Sequence, residues 1–119
     1  MINAEQRQTL HKFIVYDMAI QSLQRDYKVI ENLKMCKVYL PILDNLLKAI
    51  TNDYYNLKRL LAKEKIKIVK WTKDDEHFSD LTVTTPGEDL VLTYANQALK
   101  TQVERLLLSL QSNEKVESE

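Results

Sequence analysis

The residues with the most reactive side chains are few and scattered along the chain. Two histidines, His11 and His77, lie far apart in sequence, and Cys36 is the only cysteine. The sequence contains no G-x-S-x-G, H-E-x-x-H, C-x-x-C or glycine-rich phosphate-binding motif. Because no nucleophile, base and orienting group occur at a recognisable spacing, nothing here indicates catalysis. We therefore expect a protein that is not an enzyme, with no catalytic residues and no cofactor.

The nearest approach to a metal-binding group is the run Asp74, Asp75, Glu76 and His77. These residue types can ligate a cation, but ligands must converge from fixed directions, and four adjacent loop residues point several ways. A solvated turn is the simpler interpretation, so we expect no metal site. Cys36 recurs in phase with the leucines around it, which predicts a small buried side chain rather than a nucleophile.

Charge is divided between two neighbouring segments. Residues 58–73 carry seven basic side chains against Glu64 alone, and residues 74–89 carry six acidic side chains and no Lys or Arg. One interpretation is cross-strand pairing within a hairpin, such as Lys70 with Asp80, at about 0.2–1 kcal/mol per pair. The alternative is a surface that binds phosphates. Its candidate nucleic-acid contacts are Lys58, Arg59, Lys63, Lys65, Lys67, Lys70 and Lys73.

The same region resembles part of a winged-helix DNA-binding domain. The stretch NDYYNLKRLLAKEKIKIVKW, followed by FSDLTVTT, is similar to a recognition helix running into a wing, over about a third of the chain. The resemblance implies a nucleic-acid-associated regulator that uses residues 58–73, with the hairpin as the wing. The sequence departs from that family in lacking a short turn between two preceding helices. The tip of its wing, DDEH, would also repel phosphate.

The composition is that of one globular domain. The chain has 119 residues, of which 45% are hydrophobic and 29% charged, and 17 basic residues balance 17 acidic ones. A zero net charge is unlike that of a dedicated nucleic-acid coat. We find no signal peptide and no membrane-spanning run, and one cysteine suits a reducing compartment, so we expect a cytoplasmic location. Abundant Lys and Ile with few Arg indicate a bacterial or phage origin.

Apolar periodicity predicts two long helices that pack lengthwise. Apolar residues recur at alternating intervals of three and four over residues 4–31 and again over residues 33–61. Pro41 interrupts the second stripe, so either this helix begins near Pro41 or one helix spans about 34–64 and kinks. The unbroken phase across the proline favours the kink. One glycine and two prolines leave room for few turns, which also favours long helices.

A third helix is predicted from Pro86 to about residue 111. Thr85 and Glu88 have the spacing of a capping box, and Pro86 suits the first helical position. The remaining residues, 112–119, have almost nothing to bury and are predicted to form a disordered tail.

Strand-forming residues at about 66–84 predict a two-stranded antiparallel β-hairpin between the second and third helices. If odd positions pair with odd, one face of the hairpin is apolar. An isolated hairpin is marginal in water, so this face must cover the helices or meet another chain. The candidate oligomer or partner interface consists of Val69, Trp71, Leu81 and Val83.

Together these patterns predict a mainly α (α+β) fold, an elongated helical bundle of three long helices with a two-stranded hairpin, formed as one domain by residues 1–111. Its narrow core leaves apolar surface uncovered, which favours a homodimer. The function we expect is that of a small protein-interaction or scaffold protein that binds itself and another protein, with no role at membranes. Nucleic-acid binding through residues 58–73 is the alternative.

Overall fold

A computed structural model describes residues 2–118, with side chains described for residues 2–111. The elements are, in order, α1 (Ala4–Ile30), α2 (Cys36–Lys63), β1 (Lys67–Lys73), β2 (Phe78–Thr84), β3 (Asp89–Ala95) and α3 (Asn96–Ser118). The fold is therefore mixed α+β, with three helices and a three-stranded antiparallel sheet in the order β1-β2-β3. The Cα atoms extend over 51 × 33 × 19 Å, so the molecule is long and flat. None of the helices within the described residues is long and apolar enough to span a membrane.

Helices α1 and α2 confirm the two long helices that the periodicity predicts. α1 begins with a capping box, in which Asn3 Oδ1 accepts from the Gln6 backbone N–H at 2.8 Å and Gln6 Oε1 accepts from the Asn3 N–H at 3.0 Å. α2 begins at Cys36 and contains Pro41. The unbroken phase across Pro41 therefore indicated correctly that the helix does not begin at the proline.

The core consists of two apolar clusters that share α1. One cluster joins the first half of α1 to the end of α2 and to the sheet, and the other joins the second half of α1 to α2 and α3. Because α1 packs against several elements, the buried part of its circumference is wider than a single apolar stripe. Ile14, Val15 and Ala19 are buried although they lie outside the predicted stripe. That stripe consists of Phe13, Tyr16, Ile20, Leu23, Tyr27 and Ile30.

The prediction of a hairpin followed directly by a helix is wrong, because residues 89–95 form a third strand. Thr85 and Glu88 do interact, but as the ends of a tight turn between β2 and β3. The Thr85 N–H donates to the Glu88 carbonyl at 2.9 Å, and Thr85 Oγ1 accepts from the Glu88 N–H at 3.2 Å. A threonine hydroxyl stabilises such a turn by the same hydrogen bond that would begin a helix. The third helix therefore begins at Asn96 rather than Pro86.

A β-bulge changes which residues of β1 share a face. Trp71 lies opposite Leu81, as the odd-with-odd register predicts, but Ile68 lies opposite Val83 because the register shifts after Ile68. Val69 is the extra residue of this bulge, so its predicted place on the apolar face is wrong. The face that turns toward the helices consists of Ile68, Trp71, Leu81, Val83, Leu90, Leu92 and Tyr94.

The disordered tail predicted at 112–119 falls on residues whose side chains, and for Glu119 also the backbone, lie outside the described part of the chain. The helix α3 is assigned as far as Ser118. The prediction of a disordered tail stays a prediction.

Candidate functional site: two binding surfaces

The structure separates the four residues of the predicted apolar interface. Leu81 and Val83 have no exposed surface and belong to the core of the chain. Trp71 is 39% exposed and Val69 is 54% exposed, and the Trp71 ring lies 5.9 Å from that of Tyr94. A contact with another protein at this position can therefore use Val69 and Trp71 but not Leu81 or Val83.

Strand β1 is an edge of the sheet, and its composition discourages pairing with another strand. It carries Lys67, Lys70 and Lys73 as well as the bulge at Val69. Lysines and bulges on an edge strand oppose strand-to-strand association, because a partner strand would have to approach the charges and follow the kink. A partner at β1 would therefore contact its side chains rather than extend the sheet.

The seven predicted basic contacts are all exposed, and they are divided between α2, the turn after it and β1. Three of them come together around a cleft of about 580 Å³, which lies between the end of α2 and the start of β1. We call this site the lysine cleft. Its cationic residues are Lys58, Lys65 and Lys67. Arg59 and Lys63 lie on α2, and Lys70 and Lys73 lie further along β1.

The floor of the lysine cleft is apolar. Phe13, Leu61 and Ile66 are buried, and Ile68 is half-buried. None of the described residues that line the cleft is acidic. The site therefore combines an apolar surface with positive charge. A ligand with one apolar end and one negatively charged end would match both features.

A Schellman motif at the end of α2 shapes this cleft. The Ile66 N–H donates to the Leu61 carbonyl at 2.9 Å, and the Lys65 N–H donates to the Ala62 carbonyl at 3.0 Å. The motif requires a left-handed residue after Glu64, and Lys65 takes that conformation with φ of 59°. Glycine usually occupies this position because it has no Cβ to clash. The turn brings Leu61 and Ile66 into the same buried cluster and places Lys65 at the rim.

A second surface lies at the opposite end of the molecule, where α1 turns into α2. Six large apolar side chains at this end are 43–63% exposed. Contiguous apolar surface of more than a few hundred Å² is uncommon on monomers and often marks an interaction site. We call these residues the tip patch, and they are Val29, Leu33, Met35, Val38, Tyr39 and Ile42.

The tip patch includes a second apolar stripe on α2. Met35 at the N-cap position, followed by Val38, Tyr39 and Ile42 within α2, has the spacing i, i+3, i+4, i+7, which places all four on one side of the helix. The residues of α2 that pack in the core repeat the same spacing about a quarter of a turn away. Those core residues are Leu43, Leu46, Leu47 and Ile50. This spacing was present in the sequence, but the longer stripe through Leu43 alone was interpreted as the apolar side of the helix.

Polar side chains also meet between α1 and α2. Asp17 accepts a hydrogen bond from Gln21 Nε2 at 2.8 Å and another from the Tyr54 hydroxyl. Burial raises the pKa of Asp17, while these hydrogen bonds and the charge of Lys58 act in the opposite direction. Burial, together with the Asp17 charge, also raises the pKa of Tyr54. The hydroxyl of Tyr54, a stripe residue, is therefore satisfied within the chain by Asp17.

His11 has partners that the sequence did not indicate. Its ring hydrogen-bonds to the side chain of Gln102 on α3 and stacks on Tyr94 of β3, with ring centroids 6.0 Å apart. The side chain is half-buried, whereas residues near the polar start of a helix are usually exposed. Only the chain's return through β3 and α3 brings these groups together.

The acidic run at 74–77 forms a turn in which Asp75 acts as a hydrogen-bond acceptor. Asp75 Oδ1 accepts from the His77 N–H at 2.7 Å and from the Phe78 N–H at 2.9 Å. A hydrogen bond with Asp80 is the main reason that the pKa of Asp74 is raised. Across the residues that the structure describes, no three or more His, Cys, Asp and Glu side chains are grouped so as to hold a metal ion.

The chain matches a family model along almost all of its length. The model is described as "YhjD protein" and matches residues 1–114 of the 119. No curated protein and no solved structure matches the chain. The chain therefore belongs to the YhjD protein family.

Proposed function

We propose that this protein is a small interaction or scaffold protein that has no catalytic activity of its own and acts as a homodimer. The observation that supports this function is the tip patch, in which six large apolar side chains remain 43–63% exposed at one end of the helical pair. In the dimer, the two helical hairpins would pack tip to tip and form an intermolecular helical bundle. Symmetric contacts of this kind, in which one surface pairs with itself, are the commonest route to a dimer.

The exposed apolar area is sufficient for a dimer of moderate affinity. Full burial of a side chain of this size contributes about 1.5–3 kcal/mol. Because each of the six is about half exposed, covering them contributes on the order of 1 kcal/mol per side chain, or about 12 kcal/mol for two copies. Association itself costs at least about 4 kcal/mol. The remaining 8 kcal/mol or so corresponds to a dissociation constant of about 1 µM at best.

Sedimentation equilibrium with one patch variant and one matched variant tests this proposal. We expect the wild-type chain to be largely dimeric at tens of micromolar. Ile42→Glu should be monomeric, because it places a charge in the contact. Asn52→Glu introduces the same charge at an exposed position on α2 outside the patch, and should remain dimeric. A wild-type chain that is monomeric at every concentration, or an Ile42→Glu chain that dimerises like the wild type, would contradict the proposal.

Val69 and Trp71 are the residues we propose for contact with a second protein. Both are exposed on β1, at the end of the molecule away from the tip patch. Tryptophan is among the residues that contribute most to binding at protein interfaces. The tip patch would hold the dimer together while each sheet remains accessible, and we place this assembly in the cytoplasm.

Nucleic-acid binding remains a second proposal, supported by the three lysines that gather at one cleft. Phosphate contacts weaken steeply with added salt, so binding to a generic DNA duplex should fall sharply between low and moderate salt. The triple variant Lys58→Gln, Lys65→Gln, Lys67→Gln, which neutralises the cleft, should remove most of that binding. If duplex affinity persists in the variant, the lysine cleft is not the contact surface.

A further inference from the structure

The lysine cleft has features that neither protein–protein contact nor phosphate binding uses fully. Its volume of about 580 Å³ lies within the range of about 300–1,000 Å³ that is typical of small-molecule sites. A nucleic-acid backbone would use the lysines but leave the apolar floor unoccupied. An apolar peptide segment would use the floor but leave the lysines without counter-charges.

We propose that the lysine cleft binds a single-chain anionic amphiphile, an acyl chain that lies on the apolar floor and ends in a carboxylate held by the lysines at the rim. The acyl chain would contact Leu61, Ile66 and Ile68. Lysine suits the rim because its apolar stem can lie along the chain while the ammonium group reaches the carboxylate.

The charge at the rim comes mainly from Lys65 and Lys67. Lys58 is close enough to Asp17 to influence the ionisation of that carboxyl group, so part of its charge is already balanced within the protein. Lys65 is held at the rim by the left-handed turn that ends α2. This position allows an unusual test, because Lys65→Gly removes the charge and is also the substitution that the backbone conformation accepts best.

Isothermal titration calorimetry with the full-length chain measures this binding directly. The probes are octanoate, decanoate and dodecanoate, each below its micelle-forming concentration, together with decyltrimethylammonium as a cation of equal chain length. We expect the affinity for the carboxylates to rise about two- to fourfold with each added methylene. The cation should bind at least about tenfold more weakly than decanoate, since it meets like charges at the rim.

Variants separate the lysine cleft from other apolar surfaces, including the tip patch. The double variant Lys65→Gly, Lys67→Gln should lower decanoate affinity by about three- to tenfold, as expected for two partly exposed ion pairs. Lys100→Gln, an exposed lysine on α3, should bind decanoate like the wild type. Ile42→Glu should also bind it like the wild type, which distinguishes this result from loss of the dimer.

Three results would overturn the proposal. The first is the absence of any heat of binding for dodecanoate, and the second is equal affinity for decanoate and decyltrimethylammonium. The third is decanoate binding that the double variant leaves unchanged. Salt-sensitive binding of duplex DNA through the same two lysines, with no binding of any carboxylate, would likewise replace the amphiphile with a phosphate ligand.

Discussion

Replacing Lys65 with glycine should make the protein more stable. Lys65 has a φ of 59°, in the left-handed region where the Cβ of an ordinary residue crowds the following carbonyl. This conformation costs about 1–2 kcal/mol for a residue with a Cβ. Glycine escapes this cost but adds about 0.5–1 kcal/mol of chain entropy to the unfolded state. The difference predicts that Lys65→Gly raises the free energy of unfolding by about 0.5–1 kcal/mol.

Lys63→Gly is the matched control, because it places the same residue two positions earlier, inside the last turn of α2. Lys63 is the last residue with helical dihedral angles, so glycine there should lower the free energy of unfolding by about 0.5–1 kcal/mol. The two variants should therefore differ by about 1–2 kcal/mol, or roughly 3–8 °C in Tm for a domain of this size. Urea unfolding at one protein concentration measures both. If Lys65→Gly is destabilised as much as Lys63→Gly, residue 65 is not left-handed and the Schellman motif is absent.

Three further predictions concern single side chains. Thr85→Ala should lower the free energy of unfolding by about 1 kcal/mol, because its hydroxyl both donates and accepts in the β2–β3 turn; chemical denaturation that shows no change would argue against the turn. Pro41→Ala should raise stability by about 1 kcal/mol or more, since alanine restores a helical N–H and removes the ring clash inside α2, and calorimetry measures the shift in Tm. Burial raises the pKa of Asp17 in the folded protein above its value in the unfolded chain. The free energy of unfolding therefore falls as the pH rises from the unfolded-state pKa through the folded-state pKa. Asp17→Asn should therefore be more stable than the wild type at pH 7 but not at pH 3, and a benefit that is the same at both pH values would refute this cause.

The helices were predictable because their apolar periodicity reports burial directly. Leu43, Leu47, Ile50, Tyr54 and Leu57 recur at intervals of four and three, and all five lie on α2 within or against the apolar clusters. The extra burial of α1 was not predictable in the same way. A helix that packs on several sides has apolar residues around most of its circumference, so no single stripe describes it.

The third strand was missed because one local pattern fits two structures. Thr85 and Glu88 have the spacing of a helix start and also that of a tight turn, and only the residues that follow distinguish them. The alternation through Leu90, Leu92 and Tyr94 was the informative signal, because each of these side chains is half-buried while its neighbours are exposed. The bulge at Val69 had no signal of its own, since nothing in the sequence specifies where a strand gains a residue.

The sites differ in how far the sequence could reveal them. The seven basic residues were visible as a run, but only the turn at Lys65 shows which three border the cleft. The tip patch was present as a spacing of i, i+3, i+4, i+7 from Met35, although sequence alone does not say whether a helix buries one side or two. The contact of His11 with Gln102 depends on residues far apart in sequence and had no local signal.

Spin–spin distances between two copies test most directly whether the tip patch joins the dimer. One nitroxide label is placed at exposed Lys37 and, in a second sample, at exposed Lys73, each as a cysteine variant with Cys36→Ser. Lys37 lies at the start of α2, which is about 40 Å long, and the sheet that carries Lys73 packs at the other end of that helix. The tip-to-tip dimer therefore predicts a short intermolecular distance for the label at 37, on the order of two or three helix diameters. It predicts a much longer distance for the label at 73. The absence of dipolar coupling at position 37, or a shorter distance at 73 than at 37, would show that the copies do not meet through the tip patch.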